Sequence, residues 1–191
     1  MTKNRRLRVI ITLVITILIA GLLIWQHFNG GVPSHYFLQR KDFPEMSNWW
    51  GLLLLPLLSW FLLGRVELRL TKNEKSSSSK DQAYKKIIAL FFIGLIWSIL
   101  IAVSFVNDYK AMLDLVPIIF LLLSLLIPIF YAEFILGFVL GMTYTLGAIL
   151  PTIFVLVFAG VGFVIYRFVR PLILKLLSVL TKKTPYNNRA H

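Results

Sequence analysis

Residues 115–166 read LVPIIFLLLSLLIPIFYAEFILGFVLGMTYTLGAILPTIFVLVFAGVGFVIY, 52 positions with one side chain charged at neutral pH, Glu133. A soluble core helix is never this apolar over this length. One bilayer crossing takes about 20 residues, so the stretch exceeds two crossings and points to a membrane protein. A carboxylate within such a segment is costly in hydrocarbon and calls for a partner or a purpose. Glu133 is therefore the first residue to account for.

The rest of the chain agrees. Hydrophobic residues make up 58% of the 191 positions, against roughly 45–50% in an ordinary soluble domain. Cysteine is absent, which excludes disulfides, thiolate metal sites and cysteine nucleophiles. The formal net charge of +12 would suit nucleic acid, but the charges fall in blocks between apolar runs. Lys3, Arg5, Arg6 and Arg8 precede a first run, Val9 to Trp25. Segment 26–48 is neutral overall, and a second run, 49–63, leads into 65–86 with seven basic and three acidic residues. A third run, 87–106, ends at Asp108, Lys110 and Asp114, and the tail beyond 166 carries six basic residues. The block charges are +4, 0, +4, −1 and +6. Basic loops stay in the cytoplasm, so this alternation is a topology signal that places both termini and segment 65–86 inside. Nucleic acid is not an expected partner.

That assignment fixes a parity. The chain is outside at 108–114 and inside by Arg167, so an odd number of crossings lies between. One crossing would strand about thirty apolar residues, and three are preferred. The fold class expected is an all-α polytopic transmembrane bundle of about six spans with short loops. The spans fall near 8–26, 49–64, 87–106, 113–131, 133–148 and 151–168 of a single domain. Between them, 65–86 is expected as a flexible basic loop containing the serine run 76–79, and 169–191 as a basic tail able to continue as an interfacial helix. Turn signals lie at Pro128 to Glu133 and at Gly147 to Pro151. The alternative with two longer spans would put the six basic tail residues on the wrong side. The first run lacks a small-x-small cleavage site and is expected to stay as an uncleaved span of a multi-pass plasma (inner) membrane protein.

Glu133 opens the fifth expected helix, with Gly137, Gly141 and Tyr144 following at +4, +8 and +11 on one face. Gly137-x-x-x-Gly141 allows close approach of another helix. A carboxylate on that face is a candidate proton or cation site with Tyr131 and Tyr144. The alternative is a helix-end role, in which the first-turn carboxylate meets the helix dipole, water or Arg167. Segment 30–50 supplies a second candidate site in His35, Arg40, Asp42 and Glu45, which could act as acid and base or hold an anion. Metal-ligand spacing is missing, so no metal is expected, and the segment also reads as an aromatic lid over the outer ends of the spans. Ser59, Trp97, Ser98, Ser124, Thr143 and Thr145 are expected to form interhelical hydrogen bonds.

Phosphate-loop, zinc-protease and nucleophile-elbow motifs are all missing, and no cofactor is expected. Three functions stay open. A non-enzymatic packing, assembly or regulatory subunit fits the sparse polar inventory and the small-residue face. A small transporter or channel would use Glu133, and a membrane-embedded enzyme would use 30–50. The expected partners are the lipid bilayer and another membrane protein or a second copy of the chain.

Overall fold

The structure, a computed structural model, describes residues 3–36, 45–72 and 77–182. Seven helices follow one another: α1 (Lys3–Phe28), α2 (Gly51–Lys72), α3 (Ser77–Val106), α4 (Lys110–Leu126), α5 (Ala132–Leu146), α6 (Ile149–Val164) and α7 (Arg170–Lys182). A π-helical turn, Ile165–Val169, joins α6 to α7 without a break. Strands β1 (Ser34–Tyr36) and β2 (Glu45–Ser47) form a short antiparallel hairpin between α1 and α2. Among the described residues, regular structure is thus helical apart from that hairpin. Within these residues, four stretches are long and apolar enough to cross a membrane: Arg5–Phe28, Asn48–Thr71, Asp81–Val106 and Ile149–Val179. The other two apolar helices, α4 and α5, have 17 and 15 residues. At 1.5 Å per residue they measure about 26 and 22 Å, short of a hydrocarbon core of about 30 Å.

Helix breaks fall where the backbone demands them. Pro128 lies in the turn between α4 and α5, and Gly147, at φ +70°, closes α5. A Cβ on Gly147 would also run into the Asn48 side chain, which is buried against this turn. Pro151 occupies the first turn of α6, where its missing N–H costs nothing. Segment 65–86 departs from the expected flexible loop. Residues 65–72 continue α2 and 77–86 open α3. Charged and serine residues are compatible with a helix that tertiary contacts already hold, so the apolar run ends before the helix does.

The shortest apolar helix is the centre of the bundle. Ten of the fifteen residues of α5 are buried, while α1 packs chiefly on α2 at the periphery. Helix α3 runs parallel to α5 in close backbone contact. Gly137 faces the carbonyl of Phe91, Gly94 faces the carbonyl of Phe134, and Gly141 faces Leu95 and Ser98. A side chain at any of the three would force the helices apart. Helix α2 lies antiparallel to α5, with Gly51 beside Ala148 at one end and Arg69 beside Glu133 at the other. Between α4 and α6, fully buried Phe120 gathers the rings of Trp97, Phe134, Phe138, Phe154 and Phe158 at centroid distances of 4.8–6.3 Å. The bundle has a hairpin end and a basic end, the latter carrying Arg8, Arg65, Arg69, Lys86 and Arg170.

Candidate functional site

The basic end concentrates the polar chemistry of the described residues. Helix α2 keeps its register past the apolar run, so Arg65 and Arg69 lie one turn apart on one side while Glu67 lies opposite. On that opposite side Arg8 of α1 is 3.8 Å from Glu67, donates from Nε to the Trp60 carbonyl at 2.9 Å, and covers the Trp60 ring at 3.9 Å. Gly64 gives the Arg8 guanidinium room to lie there.

Arg69 turns the other way, into α5. Its Nη2 donates to Glu133 Oε2, and its guanidinium sits 4.0 Å above the Tyr131 ring. Lys86 of α3 stands 5.6 Å from the same ring. Glu133 is 3% exposed and Arg69 32%, so the pair has one buried and one partly open member. Glu133 Oε1 has no hydrogen-bond partner. Two favourable influences meet at this carboxylate: the arginine and the positive end of the α5 dipole. Arg69 is the residue the sequence reading missed. It falls in the expected loop, whereas the helix-end reading of Glu133 offers the helix dipole, water or Arg167. The signal that could have found it is the i, i+4 pair Arg65 and Arg69, directly beyond the apolar run in unbroken helical register.

Beside this pair lies a groove of about 500 Å³ between α2, the α4–α5 turn and α6. Arg65, Arg69 and Tyr131 line one part, and apolar side chains including Phe61, Leu156 and Phe163 line the rest. Glu133 is not on its wall.

The other candidates are dispersed. Tyr144 is 61% exposed and about 16 Å along α5 from Glu133, so it does not join Tyr131 and Glu133 in one site. The hairpin register pairs His35 with Met46 and Tyr36 with Glu45, so His35 and Glu45 occupy neighbouring rather than paired positions. Arg40 and Asp42 lie outside the described residues. Among the described residues, no group of three or more His, Asp or Glu side chains is placed to hold a metal.

Interior hydroxyls also depart from expectation. Instead of bridging helices, Ser98, Ser124, Thr143 and Thr152 donate to carbonyls one turn back on their own helix, at 2.6–2.8 Å. That acceptor is always within reach in a helix, so nothing drives the hydroxyl outward. Ser59 Oγ and Trp97 Nε1 are buried without a partner, and Trp97 packs against Phe120 instead. The Gly137–Gly141 face is occupied by α3 of the same chain. Comparison with protein-family models, curated proteins and solved structures found no match.

Proposed function

We propose that the chain is a multi-pass protein of the plasma membrane, its basic end in the cytoplasm, acting as a non-enzymatic packing, assembly or regulatory subunit. One observation carries this reading: the polar groups inside the bundle are largely spent on the chain itself. The buried carboxylate is paired with Arg69 through one oxygen, and the hydroxyls of Ser98, Ser124, Thr143 and Thr152 turn back on their own helices, while Ser59 Oγ is buried without a partner. A transport site at Glu133 needs an opening to that carboxylate, and its burial argues against one. Because the glycine face is already occupied, a partner would use an outer apolar stripe, and that of the peripheral helix α1 is the one we favour over those of α3 and α6. There Ile10, Leu13, Ile17 and Ile24 are exposed at helical spacing, and Gly21 has nothing near it.

Photocrosslinking from Leu13 and Ile17 in native membranes tests this reading, with Leu156 on α6 as the control position. Crosslinks from α1 to one protein at fixed stoichiometry are expected, a second copy included. Crosslinks to lipid alone, together with a flux in reconstituted vesicles that Glu133→Gln abolishes, would replace the subunit reading with transport.

A further inference from the structure

We propose that the groove beside Arg69 is a binding site for one anionic phospholipid from the leaflet at the basic end. This goes beyond the subunit reading and depends only on the apolar helices being embedded in a bilayer.

The argument begins with charge. Arg65 and Arg69 place two positive charges on the groove wall with Tyr131, Lys86 stands outside that wall at 5.6 Å from the Tyr131 ring, and Glu133 supplies one negative. Arg69 is held between the Tyr131 ring and the Glu133 carboxylate, which fixes its guanidinium without cancelling the site. Arg65 is exposed and forms no ion pair with another described residue. A guanidinium presents a planar fork of donors that matches phosphate oxygens. With Arg69 paired to Glu133, Arg65 leaves a local positive excess in the groove that favours an anion.

The apolar part decides which anion. Phe61 lies one helical turn deeper than Arg65 on α2, and Leu156 lies about 10 Å deeper than Phe163 along α6. The groove thus runs from a cationic mouth into an aromatic and aliphatic channel pointing toward the middle of the bundle. A soluble phosphate would leave that channel empty. A phospholipid fills both parts, with its headgroup phosphate at Arg65 and an acyl chain against Phe61, Leu156 and Phe163. Zwitterionic lipids offer the same phosphate, but their ammonium meets the arginines unfavourably, so selectivity for net negative headgroups follows.

Native mass spectrometry of the full chain, released from detergent with equal phosphatidylglycerol and phosphatidylcholine, tests the site. One phosphatidylglycerol should be retained in preference to phosphatidylcholine. Arg65→Gln should lower that retention about fivefold, the value of one basic side chain near an anionic surface. Leu156→Trp, which fills the channel and leaves both arginines in place, should lower it as well. Lys110→Gln, at the opposite end, should leave it unchanged. Equal retention of the two lipids overturns the proposal. So does phosphatidylglycerol retention that neither Arg65→Gln nor Leu156→Trp lowers, or that millimolar inorganic phosphate displaces completely, since the last outcome would assign a soluble-anion site.

Discussion

Replacing Arg69 with methionine would remove the cation from the buried pair and from the face of Tyr131 while keeping most of the apolar stem. Glu133, 3% exposed, would then lose its paired cation and keep only the α5 dipole beside it. Removing one partner of a buried pair costs about 3–5 kcal/mol. The lower end applies here, because the pair is near a helix end and Arg69 is partly open. We expect about 3 kcal/mol for Arg69→Met. Glu133→Gln should cost less, about 1 kcal/mol, because a freed arginine can extend its head toward the membrane surface. The double variant leaves no buried charge and should cost about 2 kcal/mol, so the two changes would fall short of additivity by about 2 kcal/mol. Reversible unfolding in mixed micelles, followed by tryptophan fluorescence, measures all four corners of the cycle. Additivity within about 0.5 kcal/mol would refute the reasoning, as would Glu133→Gln proving the costlier single change.

Other predictions concern packing and orientation. Gly137→Leu should prevent stable folding, since its side chain would meet the Phe91 carbonyl, whereas Gly160→Ala, with nothing within 4 Å, should be neutral in the same unfolding assay. Phe120→Ala should cost about 3–5 kcal/mol, because five rings lose their common neighbour, and a smaller loss would mean that the aromatic cluster collapses to fill the space. Single cysteines at Lys110 and Ser178 should label from opposite sides of sealed vesicles. Labelling from the same side would overturn the odd number of crossings between them, and with it the inside placement of the tail.

Hydropathy made the membrane class readable because long apolar runs have no other stable use. It made the turns readable at Pro128 and Gly147, where a missing donor and a positive φ leave a chemical mark in the sequence. It could not reveal how far each helix continues. Arg65 to Lys72 remain helical because they pack on α1 and α5, a tertiary cause that leaves no apolar signature. Arg69 stayed hidden for that reason, and with it the pairing of Glu133. Nor could the sequence say which helix would occupy the Gly137–Gly141 face. The spacing announces a close approach, while its partner depends on α4 returning the chain so that α5 lies parallel to α3. The direction of the interior hydroxyls was knowable in principle, because a carbonyl one turn back is present in every helix.

The shortness of α5 carries a consequence for biogenesis. A 15-residue segment with a carboxylate in its first turn is a poor candidate for insertion from the translocon on its own. Its pairing arginine and its closest helix neighbour are synthesised before it. Arg69 precedes Glu133 by 64 positions, and Gly94 with its neighbours on α3 precedes Gly137. The segment is thus predicted to enter as a guest of helices already inserted. Transplanted alone into a reporter protein, it should fail to integrate, and it should regain integration when α2 and α3 are supplied ahead of it.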